Sequence, residues 1–293
     1  MMKHFVTILM LTSVIFAFDN AYLQEIENGI EKYDVEAVAY NTSIQKKQNR
    51  NNGKVTVVNK KIKTPNDIKI FTNKKIKPIN YTNTISLNKL QVSEKKQKFF
   101  HMILPAILIS KAKLKLKRKR VLALRSTPEE EWASDDIQFI EGLYKKYKTE
   151  NINKLVNRLK THPVSIILAQ AAIESAWGES RFFKKGNNIF GMWSYNRHEP
   201  RIRAKGKRKG KAIYVKKYAS LSDAIDDYFV VIGRGAYKSF RRQRNRTNNP
   251  LILVQYLVNY CELGKSYTKK LRKFIVHNKL RKFDKFRIDE KYI

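Results

Sequence analysis

Cysteine is almost absent from the sequence, which has Cys261 alone among its 293 residues. No disulfide can form within the chain, so a buried core must hold the fold together. Cys261 lies in LVQYLVNYCEL, an apolar pattern that predicts a core helix. Histidine is also scarce, and the five histidines, at positions 4, 101, 162, 198 and 277, show no spacing typical of a metal site. We therefore expect no metal ion.

Acidic residues are few as well. The chain has 25 Asp and Glu against 61 Lys and Arg, which gives a formal net charge of +36. Such a polycation is expected to associate with an anionic surface: nucleic acid, anionic lipid head groups or an acidic polymer of the cell envelope. Lys, Asn and Ile dominate the composition, so a general compositional bias is the alternative explanation of the charge.

The first residues favour the cell envelope among these partners. A short cationic start, MMKH, precedes the apolar run FVTILMLTSVIFAF at residues 5–18. This layout is typical of a secretory signal peptide at residues 1–18, with Ala17 before the cleavage point. The run is short for a transmembrane helix, and an uncleaved signal-anchor is the alternative. Either interpretation places the chain outside the cytoplasm, so no nucleic-acid partner is expected.

Two basic segments follow the predicted signal. Residues 19–92 are rich in Asn, Lys and Thr without a sustained period, which predicts a disordered basic linker. Residues 93–125 are apolar first and cationic later, which predicts an amphipathic basic helical arm, with a kink or two helices at Pro105. One face of it carries Phe100, Ile103, Leu104, Ile107 and Leu108. The arm either docks on a membrane or envelope surface or packs on the main domain.

Residues 126–293 are predicted to form one compact, mainly helical domain. Thr127, Pro128 and three glutamates are a strong helix start, and further helices are predicted in NINKLVNRLK, THPVSIILAQAAIESAWGESRFF, SLSDAIDDYFVVIGR, NPLILVQYLVNYCEL and KSYTKKLRKFIVHNKL. The stretch from Gly186 to Ser220 differs, because KAIYVKKYAS alternates like a strand and RAKGKRKGK is predicted to be a basic loop. The expected fold class is α+β, mainly α, with a small β-hairpin lobe.

Glu174 is unusual because it stands among small and apolar residues of the third predicted helix. Ile167, Ala171, Glu174 and Gly178 are spaced to share one face of that helix. A partly desolvated carboxyl group resists ionisation, and a raised pKa suits a general acid near neutral pH. Periodicity alone leaves an equal alternative, a structural glutamate paired with a Lys or Arg.

A resemblance favours the first interpretation. AQAAIESAWGESRF followed by GNNIFGMW resembles the signature of the bacterial peptidoglycan N-acetylglucosaminidases, family 73 of the glycoside hydrolases. The resemblance runs from about residue 126 to residue 280. KKQKFFHMILPAI, GAYKSFR and LGKSYTKKLRKFI resemble more narrowly the Bax-type branch of this family. It implies a lysozyme-like fold with an α-lobe, a β-lobe and a glycan groove, and no cofactor.

The resemblance assigns the general acid to Glu174. Glycosidases commonly use a second carboxylate, and family members carry it on the variable β-lobe. Glu199 is the sole acidic residue between Arg181 and Ser222, so it is the candidate. The alternatives are a loop glutamate paired with a neighbouring arginine, or assistance by the 2-acetamido group of the substrate.

Four aromatic side chains are candidates for substrate binding. Tyr237 matches a tyrosine that lines the cleft in family members. Trp193 and Phe190 could form a floor on which sugars stack, and Trp177 stands close to Glu174. Ordinary core packing is the alternative, most of all for Phe190.

The sequence thus predicts an exported peptidoglycan hydrolase that cleaves the β-1,4 bond after N-acetylglucosamine. It is expected in the periplasm, on the cell envelope or secreted, with the basic segments on anionic polymers or lipid. The alternatives are a muramidase or lytic transglycosylase on the same scaffold, and a non-catalytic protein that binds the cell envelope.

Overall fold

The computed structural model describes residues 53–208 and 210–293. The predicted signal peptide and residues 19–52 of the predicted linker lie outside this range. Nine α-helices lie in the described part of the chain: α1 Val92–Arg125, α2 Ser134–Tyr147, α3 Ile152–Arg158, α4 Val164–Glu174, α5 Arg181–Gly186, α6 Leu221–Gly233, α7 Lys238–Arg246, α8 Pro250–Leu253 and α9 Gly264–His277. Six short strands accompany them: β1 Val58–Lys60, β2 Lys75–Ile76, β3 Ile79–Tyr81, β4 Arg201–Arg208, β5 Lys211–Lys216 and β6 Arg287–Ile288.

The long helix α1 is the centre of the fold. Its apolar half, residues 99–109, is buried, and it packs against α3, α4, α6, β3 and β6. Its cationic half pairs with the domain, since Lys113 lies 3.2 Å from Asp226 and Arg120 lies 2.6 Å from Asp136. The alternative of a helix packed on the domain is therefore the correct one. Pro105 lies inside the continuous helix, so the prediction of two helices is wrong.

The prediction of a disordered linker is wrong for residues 53–91. In that segment β1 pairs in parallel with β3, and β2 pairs in parallel with β6 near the last described residues. The segment contributes buried apolar side chains to the core: Ile62, Ile68, Phe71, Ile76, Ile79, Tyr81 and Leu87. Because these side chains anchor an irregular chain one at a time, their spacing shows no period. The folded domain therefore includes residues 53–125 as well as the predicted residues 126–293.

Helix α4 carries the predicted catalytic glutamate and crosses the core. Every residue from Val164 to Ala172 is buried, and the helix ends at Glu174. The prediction of one helix through Phe183 is wrong, because Ala176, Trp177 and Gly178 adopt left-handed φ angles of 50°, 58° and 86°. A new helix, α5, then starts after Ser180, whose hydroxyl accepts a hydrogen bond from the Phe183 amide.

The β-hairpin lobe is confirmed. Strands β4 and β5 pair antiparallel, with an irregularity between Arg203 and Lys207. Most of the predicted basic loop RAKGKRKGK belongs to β4, so its charges alternate along a strand. The mainly helical fold class with a small hairpin lobe is confirmed as well.

Three helix predictions need correction. Helix α2 starts at Ser134, after a short 3-10 turn at Glu129–Glu131, and not at Thr127. The predicted helix through Cys261 stops at Tyr256, and Cys261 is half-buried. Helix α7 was not predicted, because its sequence KSFRRQRNR is almost wholly polar. Within the described residues, no helix combines the length and the apolar character needed to cross a membrane.

Candidate active site

The carboxyl group of Glu174 lies where α4 ends and α9 begins. The hydroxyl of Tyr267, in the first turns of α9, donates a 2.8 Å hydrogen bond to Glu174 Oε1. Burial raises the pKa of Glu174, while the Tyr267 hydrogen bond and the charge of Lys270 oppose that rise. A carboxylic acid with a raised pKa can keep its proton until a leaving group needs it. The geometry therefore fits the general-acid role predicted for Glu174.

A chain of buried hydrogen bonds leads to this carboxyl group. The Tyr228 hydroxyl donates to Gln170 Oε1 at 2.7 Å, and Gln170 Nε2 lies 3.3 Å from the Tyr267 oxygen. At the far end, His162 Nε2 lies 2.9 Å from the Tyr228 oxygen. Because the Tyr228 hydroxyl donates its hydrogen to Gln170, its oxygen can only accept from His162, so the His162 ring carries a hydrogen on Nε2. Burial holds the pKa of His162 well below its usual value, so its ring is neutral.

Each hydrogen bond in this series is therefore donated in the direction of Glu174. His162 donates to Tyr228, Tyr228 to Gln170, Gln170 to Tyr267 and Tyr267 to the carboxyl group. Hydrogen bonds aligned in series polarise one another, so the chain fixes the position of the carboxyl group and stabilises its ionised form. Sequence analysis missed Gln170 and Tyr267. Gln170 could have been found from its position one helical turn before Glu174, whereas no local pattern marks Tyr267.

The turn after Glu174 is strained and tightly held. Two consecutive non-glycine residues, Ala176 and Trp177, have left-handed φ angles, which cost about 1–2 kcal/mol each. Ser175 secures the turn, because its hydroxyl donates to the Ala171 carbonyl at 2.6 Å and accepts from the Gly178 amide at 2.9 Å. Backbone strain next to a candidate catalytic residue is typical of functional sites.

Two of the predicted substrate-binding aromatics pack against core side chains, the half-buried Trp177 and the buried Phe190. Trp177 packs edge-on against Phe99 and Phe100 at centroid distances of 5.7 and 5.4 Å. Phe190 is 7% exposed, and its ring stacks on that of Tyr228 at a centroid distance of 4.5 Å. It thereby holds the Tyr228 ring in place within the series of hydrogen bonds. Phe190 offers no open face to a sugar, so the structure does not support its assignment to substrate binding, whereas the half-buried Trp177 keeps that assignment as a prediction.

The other two aromatics are available at the surface. Trp193 is 36% exposed on the hairpin lobe, with Tyr195 beside it at 86%. The Arg208 guanidinium lies 5.2 Å from the Trp193 ring centroid and donates at 3.1 Å to Glu262, just before α9. This contact links the hairpin to the end of the helix that carries Tyr267. Trp193 therefore remains the candidate for sugar stacking.

Tyr237 belongs to a tyrosine cluster around the acid. Its ring lies 6.5 Å from that of Tyr260, which stacks on Tyr267 at 5.4 Å with an interplanar angle of 9°. Tyr237 is half-buried, and burial raises the pKa of its hydroxyl. The cluster places Tyr237 two rings away from the tyrosine that contacts Glu174, consistent with a position beside the cleft.

Glu199 lies in a different environment from Glu174. It precedes β4, and its carboxylate lies 3.9 Å from Lys216 Nζ, which also binds Asp227 at 3.0 Å. It lines a cavity of 320 Å³ together with Asp223, Asp226 and Asp227, and Glu174 is not among the lining residues. The structure thus joins Glu199 to an acidic group on α6 that sequence spacing did not reveal. It does not bring the two predicted catalytic carboxylates together in this cavity.

No group of three or more His, Cys, Asp or Glu side chains within residues 53–208 and 210–293 could hold a metal ion. The groups that the structure places at Glu174 are its own carboxyl group, a tyrosine hydroxyl and nearby aromatic rings. This set can protonate and position a leaving oxygen.

Comparison with known proteins points the same way. Residues 149–280 match the glucosaminidase family model, described as mannosyl-glycoprotein endo-beta-N-acetylglucosaminidase. Protein bax of Escherichia coli (strain K12) is 26% identical over 192 residues, which cover 60% of this chain and 67% of that protein. The exo-glucosaminidase LytG of Bacillus subtilis (strain 168) is 37% identical over 76 residues, 24% of this chain and 27% of that protein.

Among solved structures, the catalytic domain of the autolysin Auto from Listeria monocytogenes aligns with a TM-score of 0.37 and 20% identity. That alignment covers 58% of this chain and 97% of the autolysin domain. The family model, by contrast, matches a range of the present chain that includes α4, the hairpin lobe and all of α9, and so contains both Glu174 and Tyr267.

Proposed function

We propose that this chain, which belongs to the glucosaminidase family through residues 149–280, hydrolyses the glycan of peptidoglycan with Glu174 as the general acid. The bond cleaved is the β-1,4 bond after N-acetylglucosamine, within the glycan strand. The observation that carries the proposal is the half-buried Glu174 carboxyl group, held by Tyr267 at the start of α9. Burial raises the pKa of this group, which favours the protonated form that a donor to the glycosidic oxygen needs.

Substitution of the acid tests this function. Glu174→Gln keeps an acceptor for the Tyr267 hydroxyl and removes the transferable proton, so the fold should stay intact. Turnover of purified peptidoglycan should fall by roughly two to four orders of magnitude. Glu141→Gln, an exposed position on α2, is the matched control and should hydrolyse at the wild-type rate. Turnover of Glu174→Gln within about threefold of wild type would exclude Glu174 as the acid.

The products identify the bond and the mode of attack. Mass spectrometry of the released muropeptides should find N-acetylglucosamine at the reducing end. A reducing-end muramic acid would indicate a muramidase, and an anhydromuramic end a lytic transglycosylase. Long oligosaccharides early in the digest support internal cleavage, whereas steady release of single sugars would indicate an exo mode like the one in the name of LytG.

For the second catalytic group, we propose Glu199 as the candidate on the hairpin lobe. Its carboxylate is held on the hairpin lobe by the Lys216 ammonium group, 3.9 Å away. Glu199→Ala should slow turnover, and added azide should restore part of the rate by replacing the carboxylate. An unchanged rate for Glu199→Ala would instead favour assistance by the 2-acetamido group.

We further propose that the chain is exported and held to the cell envelope by its positive charge. The signal-like residues 1–18 support export, and the exposed side chains of Lys205, Lys207, Arg208 and Lys211 support contact with anionic polymers at the hairpin tip. Exposed charges act over roughly 8 Å at physiological salt, so pelleting with purified envelope should fall steeply as salt rises. Pelleting that does not respond to salt would contradict electrostatic anchoring.

A further inference from the structure

A second concave site lies at the other end of α4 from Glu174. The cavity has a volume of 580 Å³ and is lined by residues 159–161 just before α4, together with parts of α1, α7 and the segment around β6. The 11 residues of α4 separate it from Glu174 by about 16 Å along the helix axis. A volume of this size is typical of sites for small molecules. It is not part of the catalytic centre described above.

The lining of this cavity is far more basic than the chain as a whole. Seven Lys and Arg side chains line it against one acidic residue, Glu290. In the whole chain the corresponding numbers are 61 and 25. General compositional bias therefore does not account for the cluster. We name this site the basic cavity, and its cations are Lys111, Lys115, Arg118, Lys160, Arg244, Arg246 and Arg287.

Arg244 is the buried cation of the cavity. Its side chain is 5% exposed, and it donates to the carbonyl oxygens of Asn157, at 2.7 Å, and Lys160. Its Nε is buried and has no hydrogen-bond partner among the described residues. Burial lowers the pKa of Arg244 to about 9, which shows how poorly its charge is solvated. A buried donor without an acceptor is costly unless a ligand supplies one.

Lys111 is the second cation of the cavity whose charged group is poorly hydrated. Its ammonium group donates to the His162 carbonyl at 2.8 Å, and burial lowers its pKa to about 8. The nearby carboxylate of Asp284 is engaged by the amide and hydroxyl of Ser165, each at 2.8 Å. Within the described residues, no ion pair is formed by Lys111 or Arg244. Two positive charges thus lie at one cavity, each donating to backbone carbonyl groups, and the nearby Asp284 carboxylate only partly offsets the desolvation of Lys111.

We propose that the basic cavity binds a phosphorylated ligand carrying two or more negative charges, of diphosphate size or larger. Guanidinium groups match phosphate oxygens in pairs, and ammonium groups add point charges, so the lining suits phosphate. An anion placed there would offset the desolvation of Arg244 and Lys111. The exposed cations Lys115, Arg246 and Arg287 at the rim would hold further phosphate oxygens. This site is independent of glycan hydrolysis.

Calorimetric titration of the full chain with pyrophosphate at physiological salt tests the proposal. One saturable site per chain is expected, with orthophosphate and citrate binding at least tenfold more weakly. The rim variant Lys115→Gln/Arg246→Gln/Arg287→Gln should lose at least tenfold in affinity. A control that removes the same charge elsewhere, Lys61→Gln/Lys63→Gln/Lys145→Gln, uses exposed lysines outside the cavity and should stay within twofold of wild type.

Equal losses in the two triple variants would overturn the proposal, because they would reduce binding to general attraction by a polycation. The absence of a saturable site would overturn it as well. Arg244→Lys tests the contribution of the buried guanidinium group to binding. If that variant does not fold, the affinity of the rim variant still tests the proposal. Competition with phosphatidylglycerol vesicles identifies the source: displacement of pyrophosphate assigns the phosphate to a lipid head group, and no displacement assigns it to a soluble ligand.

Discussion

At the scale of single residues, the proposed function depends on one proton that Glu174 donates. The residue combines two opposing influences, because burial raises its pKa and the Tyr267 hydroxyl lowers it. A fully buried carboxyl group without the hydroxyl would hold its proton too firmly to donate it, and an exposed one would lose it at neutral pH. We therefore expect Tyr267 to be a positioning residue that lowers the pKa of the Glu174 carboxyl group.

Tyr267→Phe tests that adjustment. Activity is lost as pH rises through the pKa of the general acid, since the acid must be protonated. Removal of a hydrogen bond that stabilises the ionised form raises that pKa, so the alkaline limb of the kcat/KM profile should move to higher pH. The matched control is Tyr260→Phe, whose hydroxyl has no hydrogen-bond partner among the described residues. A limb at the same pH in Tyr267→Phe and wild type would contradict the role of Tyr267.

Sequence reasoning found Glu174 because a carboxylate among small residues, in a specific motif, is a local signal. It could not find Tyr267, which lies 93 positions away and reaches Glu174 through tertiary packing. It also assigned Phe190 to the substrate, because the sequence does not distinguish an aromatic residue in a cleft from one in a core. Only the three-dimensional surroundings separate the exposed Trp193 from the buried Phe190.

At the scale of elements, the turn after α4 determines where Glu174 lies. Gly178 has a φ of 86°, and a Cβ atom there would lie 3.1 Å from Phe183 Cε1 and 3.4 Å from the Phe99 ring. Gly178→Ala should therefore lower the free energy of unfolding by about 1–3 kcal/mol. It should also reduce turnover, because the turn would shift the end of α4.

Gly142→Ala is the matched control for Gly178→Ala. Gly142 lies inside α2 with open space where a Cβ would stand, so alanine there should stabilise the helix by roughly 0.5–1 kcal/mol. Denaturant unfolding of both variants measures the contrast. Equal effects of the two substitutions would show that the turn tolerates a side chain and carries no special constraint.

Element prediction succeeded where periodicity is long and failed where it is short. Helices α3, α6 and α9 follow sustained apolar spacing, and they appear where the pattern indicates. Strands β1, β2 and β3 have two or three residues each, too few to show alternation. The third predicted helix was extended too far, since left-handed Ala176 and Trp177 have no sequence signature.

At the scale of the whole molecule, the segment 53–91 belongs to the folded unit. Its Tyr81 and Ile68 are almost wholly buried, and the Phe71 amide donates to His101 Nδ1 on α1 at 3.0 Å. A chain that begins at residue 53 keeps every contact described above and is the reference for a shorter chain that lacks the segment.

A chain that begins at residue 92 should be much less stable. It exposes the surface of α1 that the segment covers, and burial of each large apolar side chain is worth roughly 1.5–3 kcal/mol. Thermal and denaturant unfolding of the two shortened chains, with circular dichroism as the readout, measures the difference. If the chain from residue 92 unfolds at the same midpoint as the chain from residue 53, residues 53–91 contribute nothing to stability.

The pairing of β2 with β6 has a consequence for how the protein is made. Residues 75–76 find their partners at residues 287–288, so a contact inside the folded unit joins segments separated by more than 200 positions. Proteins with such distant contacts close their loops late and fold slowly. During synthesis from the N-terminus, the segment that covers α1 must wait for almost the last residues of the described chain. The emerging chain therefore cannot complete this sheet until residues 287–288 have left the ribosome.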